Sequence, residues 1–189
     1  APLAASAIAN QIAAVAFMIP LALGQASSVR VGHFAGANDR NNIGRAAWAA
    51  MIAALAVTCV TALFIALFPV SLIKLFLGAA DLLTKDVINL AIPLVMITAL
   101  FQTVDGAQII GISVLRGLND TKWPALLSVG SFWCIGVTSG AIFAFHFDSG
   151  PVGLWLGLLI GLTAAAVSLG WRMHWSVQRI NSGGSILMG

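Results

Sequence analysis

At 189 residues, of which 60% are hydrophobic and 8% charged, the chain lies outside the range of water-soluble domains, because so few polar side chains cannot cover a surface facing water. Its formal charge of +3 and pI near 9.4 arise from nine Lys and Arg spread along the sequence without a basic run, which argues against a nucleic-acid partner. Only Cys59 and Cys134 occur, each inside an apolar stretch, so neither a disulfide framework nor a thiolate metal site is supported and core packing is the expected role of both.

Five apolar stretches, each of 20 residues or more, are long enough to cross a bilayer as helices. The first runs from about 4 to 29 and carries Ser6, Asn10 and Gln11 in its early part. A joint with Arg30, Arg40 and Arg45 follows, then the second stretch, about 46 to 68. The next joint holds Lys74 and Lys85, offset by Asp81 and Asp86. The third stretch, about 87 to 115, exceeds what the hydrocarbon requires, and Pro93 in its first third predicts a kinked or tilted helix. Arg116 and Lys122 lie between it and the fourth stretch, about 124 to 145, where Ser128, Ser131, Cys134 and Thr138 recur at helical spacing. After a joint containing Asp148, the fifth stretch runs from about 152 to 171 with Gly153, Gly157 and Gly161 as a doubled G-x-x-x-G stripe, a pattern that permits close helix approach. Residues 1–175 thus form one all-α polytopic bundle, and 176–189 read as a tail.

Short joints make consecutive spans antiparallel, so the first joint, the third joint and the tail share one end. Seven of the nine basic residues fall there and two on the opposite side, which predicts that this end, and the carboxyl terminus, are cytoplasmic. Trp48, Trp123, Trp171 and Trp175 lie near the same face, at the level where indole rings prefer to sit. Five spans ending inside begin outside, and Ala1 is no initiator, so further spans are expected upstream.

Asp105 is the ionisable residue near the middle of a span. It lies eleven residues before Arg116, about 16 Å of helix, which puts it near the midplane. Thr98, Phe101, Gln102 and Gln108 fall within about 60° of it around the helix, which makes one face of this span polar. A carboxyl at that depth is costly unless it serves a cavity or a partner, and occupancy by a proton or Na⁺ there links to conformational change. His33, His146 and His174 are split between the two faces, so they cannot share a metal, and no nucleophile stands beside any of them in sequence; an enzyme is not expected. The glycines of 31–39 lack both a preceding strand and a Gly-Lys-Ser/Thr, so no ATP site is expected either.

Two blocks carry a resemblance. Residues 17–32 read FMIPLALGQASSVRVG and are followed by Gly36-Ala37-Asn38-Asp39; Asp105 and Gln108 are followed by Gly111, Val114-Leu115-Arg116-Gly117, Asn119-Asp120-Thr121 and Pro124. In order and spacing they resemble the multidrug and toxic compound extrusion (MATE) family, in its NorM-like branch. The resemblance implies twelve helices in two lobes, of which these five are the eighth to twelfth, with the first lobe supplied by upstream sequence. It implies export of small cationic or amphipathic organic compounds from the cell across the inner membrane by alternating access, coupled to Na⁺ or H⁺, with no other cofactor and with membrane lipid as surroundings. Asp105 aligns with the acidic residue of the second-lobe cation site and is the Na⁺ ligand if that is the coupling ion. Asn10, Phe17, Thr98, Phe101, Gln102 and Gln108 become candidates for lining the cavity, with Phe17 and Phe101 available to stack on flat cations. Some relatives carry a tyrosine where this chain has Phe101, and the chain contains no Glu and no Tyr, so any further acidic or phenolic ligand must come from outside it. A flippase of the same superfamily, moving lipid-linked sugars or another lipid, and a non-transporting scaffold remain as alternatives.

Overall fold

The computed structural model describes residues 2–77, 84–146 and 150–186; Asp81, read above as an offsetting charge, and Asp148 of the fourth joint lie outside the described residues. The described residues contain five helices long and apolar enough to cross a membrane, and no strand. In chain order these are α1 (Pro2–Gly36), α2 (Arg40–Leu67) and, after a short helix α3 (Pro69–Leu77), α4 (Thr84–Gly117). The fourth span begins as α5 (Lys122–Gly130). It continues through a π-helical segment (Ser131–Val137), α6 (Thr138–Ala141) and a second π-helical segment (Ile142–His146). The fifth is α7 (Gly150–Asn181).

The helices outrun the apolar stretches because hydropathy marks the hydrocarbon slab, whereas the backbone ladder continues until something stops it. The joint residues Arg30, Arg40 and Arg45 are therefore helical, and the expected tail beginning at 176 is helix to Asn181. Val177, Ile180 and Ile186 are buried in the core, so the expected tail is packed as far as Ile186.

Three helix ends stop in the same way. Asn38 (φ 59°), Asn119 (φ 62°) and Gly183 (φ 97°) are left-handed, and each is followed by a residue whose N–H reaches back five positions: Asp39 to Phe34, Asp120 to Leu115 and Gly184 to Arg179, each at 2.9 Å. These turns satisfy the last carbonyls, and asparagine or glycine is needed because other residues resist positive φ. Asp39 then caps α2, its carboxylate accepting from the Asn42 backbone N–H at 3.3 Å and from Asn42 Nδ2 at 2.7 Å. At the far end, α2 stops because Pro69 disfavours helical geometry at Phe68, and Pro69 itself opens α3.

The three basic-rich segments meet at one end of the bundle, as the charge pattern predicts. Arg40 donates from Nη1 to the Ile180 carbonyl at 3.1 Å, joining the start of α2 to the end of α7. Arg172 Nε donates to Asp120 Oδ2 at 2.6 Å, joining α7 to the turn after α4.

Helix α4 is central, packing against α1, α2, α3 and α7. It runs parallel to α1 in close contact: Gly24 faces Ile109 and Ser113, and Gly117 meets the Ser28 carbonyl. The fourth span instead packs against α7 through paired glycines, Gly140 on Gly157 and Gly136 on Gly161. The stripe on the fifth span is thus a helix-packing seam.

The two cysteines do not pack in the core. Cys59 and Cys134 are exposed on their helices. The inward face of α2 is carried by Met51, Ala54 and Thr58, and Cys59 follows about 100° further round. On the fourth span the wider π turns break the expected polar strip, leaving Ser131 buried and Thr138 exposed with Cys134.

Candidate functional site

The apolar interior is divided in two. One cluster at the basic-rich end joins α1, α2, α4 and α7 through residues such as Val31, Met51, Val114 and Met173. The other, at the opposite end, joins Ile12, Ile65, Ile73 and Val95 from α1 to α4. Between them α4 presents Gln102 and Asp105, with Thr98 at the edge of one cluster and Gln108 at the edge of the other.

Asp105 is half-buried, and among the described residues no basic side chain pairs with it. Directly beside it Gly106 lets α2 approach so closely that an added methyl would lie 2.6 Å from Thr58 Cγ2. Thr58 is fully buried, and its hydroxyl donates to the Ala54 carbonyl at 2.8 Å. The backbone around the carboxyl is therefore fixed from two sides, by α1 and by α2.

The α1 contact has a cause visible in the sequence. Pro20, buried inside α1, has no N–H and leaves the Ala16 carbonyl four residues earlier without its helical partner. Gln102 Nε2 supplies the missing donor, 2.9 Å from the Ala16 oxygen. Gln102 is 3% exposed and committed to this bond, so it is a tie between α1 and α4 one turn from Asp105 rather than an open wall of a cavity. Removing it strands a buried carbonyl: Gln102→Leu is expected to cost about 1–3 kcal/mol in detergent unfolding. In a Pro20→Ala background, where the residue at 20 regains an N–H for Ala16, the same substitution is expected to cost under about 0.5 kcal/mol. Equal costs in the two backgrounds would disprove the compensation.

The remaining candidates divide. Thr98 is fully buried and its hydroxyl donates to the Leu94 carbonyl at 3.0 Å, which places it in the packed interior rather than on an open face. Phe101 is half-buried with its ring edge-on to Trp155 of α7, centroids 5.8 Å apart. Gln108 is 7% exposed, and its Oε1 is buried without a hydrogen-bond partner among the described residues. Phe17 is half-buried and Asn10 exposed, both on α1 and away from the α4 cluster in sequence. Asn10 is not isolated: Gln11 and Gln25 are also exposed, on an α1 face shared with Val15, Met18 and Val29. Gln25 appeared in the sequence only as part of the 17–32 block, without a role; the exposure that it shares with Gln11 emerges only from the packing of α1.

Five long apolar helices, one of them central and carrying a half-buried carboxyl, define a multi-pass α-helical membrane protein. Residues 1–142 match the MatE family model, and the chain belongs to that family. It is 41% identical over 174 residues to a "Probable multidrug resistance protein NorM" of Brucella suis biovar 1 (strain 1330), covering 91% of this chain and 37% of that protein. It is 42% identical over 172 residues to the "Multidrug resistance protein NorM" of Burkholderia vietnamiensis, again covering 91% and 37%. Among solved structures, the eukaryotic MATE transporter AtDTX14 superposes with a TM-score of 0.81 at 19% identity, covering 96% of this chain and 40% of that one. An inward-facing multidrug resistance MATE family transporter gives 0.82 at 17% identity, covering 93% of this chain and 39% of that one. An outward-facing one gives 0.83 at 18% identity, with 96% and 39% covered. At such identities the structures establish the fold, the five-helix arrangement of a MATE transporter. The chain spans little more than a third of the length of these relatives, 37% in the first.

Proposed function

We propose that the chain forms most of the second lobe of a two-lobe transporter that exports small cationic or amphipathic organic compounds by alternating access, with uptake of Na⁺ or H⁺ as the driving force. The observation that carries this reading is Asp105, half-buried between two apolar clusters and without a basic partner among the described residues. A carboxyl so placed has a use in holding a cation that comes and goes. The names of the NorM relatives support drug export, and the amides Asn10, Gln11 and Gln25 on an exposed face of α1 suit a wall of the substrate cavity better than contact with lipid. The basic-rich end faces the cytoplasm of the inner membrane, the carboxyl terminus with it.

The test is transport by the two-lobe protein in proteoliposomes. Ethidium loaded with the vesicles should be moved against its gradient when an inward Na⁺ or H⁺ gradient is imposed, and not without one. Translocation of a fluorescent lipid with no ethidium movement would favour the flippase. Orientation is checked separately: Asn41→Cys should react with a membrane-impermeant maleimide only from the cytoplasm and Ser71→Cys only from outside, and reversed labelling would overturn the assignment.

A further inference from the structure

A groove of about 1070 Å³ lies between the fourth and fifth spans, and Asp105 is not among the residues that line it. Its walls are apolar for most of their length: Leu127 from α5, and Leu159, Ile160 and Val167 from α7. Towards the basic-rich end the lining changes to Trp123, Trp171, Trp175 and Arg172. Trp171 is 76% exposed and Trp123 55% exposed, although they are among the largest apolar groups in the chain. Indole rings in that position mark the headgroup level of a bilayer, so the groove runs from the acyl region up to the headgroups of one leaflet.

Charge identifies the occupant. The Arg172 guanidinium sits 5.2 Å from the Trp123 ring centre, and its bond to Asp120 uses one of five N–H donors. The Arg179 guanidinium sits 5.5 Å from the centre of Trp175, a wall of the same groove, and exposed Lys122 adjoins Trp123 in sequence. One cation, Arg172, therefore lines the mouth and two more, Arg179 and Lys122, adjoin its tryptophans, while the carboxylate bonded to Arg172, that of Asp120, is 2% exposed. An apolar trough with a tryptophan collar and surplus positive charge at one end matches an amphiphile with a long hydrocarbon tail and an anionic head.

We propose that this groove is a binding site for an anionic phospholipid, its phosphate held at Arg172 and Arg179 and an acyl chain laid along Leu127, Leu159, Ile160 and Val167. The site rests on the membrane-spanning fold and not on any role of Asp105. A bound lipid would bridge the fourth and fifth spans and add, nearer the basic-rich end, to the contact that the glycine seam provides between them.

The experiment uses the full-length protein, delipidated in detergent and titrated with phosphatidylglycerol or phosphatidylcholine in mixed micelles, with bound lipid counted by native mass spectrometry. Phosphatidylglycerol should bind more tightly, and each of Lys122→Gln and Arg179→Gln should weaken it by about fivefold. Ala164→Phe, which fills the groove floor and leaves the charges alone, should reduce retention of both lipids. The charge variants alter exposed side chains and are expected to fold, so they decide the matter if the groove variant does not. Equal affinity for the two lipids, or a phosphatidylglycerol preference unchanged in the charge variants, would overturn the proposal; a groove covered by another protein segment gives that result. Competition by inorganic phosphate at similar concentration would also overturn it, by showing an anion site without use of the trough.

Discussion

Asp105→Asn in the two-lobe transporter is expected to abolish ion-driven drug efflux while leaving membrane insertion, unfolding temperature and drug binding close to wild type. Asparagine keeps the shape of the side chain and removes its charge. Because no basic partner of Asp105 stands among the described residues, the substitution leaves no stranded opposite charge there and removes a desolvation cost instead of adding one. The local backbone is held by contacts that do not involve the carboxylate, namely Gln102 on Ala16 and Gly106 against Thr58. Transport differs from folding in what it demands. An ion biases the two access states only through its difference in affinity between them, and moving a two-state equilibrium from one extreme to the other needs roughly a 10⁴-fold difference. With the carboxylate gone that difference collapses for the cation, and the gradient has nothing to act on. Driven efflux should fall at least about tenfold even if the drug binds within about threefold of its wild-type affinity. Proteoliposome efflux and drug binding in detergent, measured on the same preparations, separate the cases. Normal driven efflux by the Asn variant would leave Asp105 as a packing residue and remove the main support for coupling through this lobe.

The parts of this architecture that were legible in the sequence are those in which a single physical rule dominates. The bilayer forces long apolar helices, so five spans and their order followed from hydropathy alone, and the charge pattern grouped the three ends that Arg40–Ile180 and Arg172–Asp120 now tie together. Asp105 was conspicuous for the same reason, since a carboxyl in mid-span stands out against its background. What escaped were features that depend on pairing between distant segments. Gln102 looked like a cavity residue because its position around the helix matched Asp105, and only the partner helix reveals that a proline has left a carbonyl for it. The π turns at Ser131–Val137 and Ile142–His146 escaped because spacing arguments assume 3.6 residues per turn, and Cys59 and Cys134 were expected inside because an apolar stretch does not say which of its faces is packed. Helix α3 had a local signal, Pro69 after an apolar run, but nine residues are too few for a hydropathy window to separate from a joint. Asp120 was quoted as part of a pattern without a role, and its partner Arg172 is 52 residues away.

Gly157→Ala carries the largest structural penalty expected from a single added carbon. In the fold, Gly157 faces the backbone of Gly140, and a methyl group placed on it would collide with the Gly140 Cα and N and lie 3.0 Å from the Gly136 carbonyl oxygen. Side chains can rotate away from an intruding methyl; backbone atoms of a helix cannot, so relief requires the fourth span to move off α7. The seam is long: a methyl on Gly161 would lie 2.6 Å from the Gly136 Cα, and one on Gly153 would lie 2.8 Å from the Ala144 nitrogen. Separation at Gly157 therefore loosens contacts above and below it, including the bond from Ser139 Oγ to the Gly157 carbonyl at 3.3 Å. Small-residue seams of this kind supply much of the association energy of membrane helices, because lipid offers no hydrophobic drive to replace it. The expected cost is about 3 kcal/mol, at the upper end for overpacking because the clash is with backbone. Gly170→Ala on the same helix is the control: its added methyl meets nothing within 4 Å, and it should be neutral or gain up to about 1 kcal/mol from helix propensity. Unfolding in detergent distinguishes the two, and disulfide trapping between cysteines at Ala141 and Leu156 reports whether the spans have parted. If Gly157→Ala unfolds with the control and traps at the wild-type rate, the fourth and fifth spans are not held by this seam.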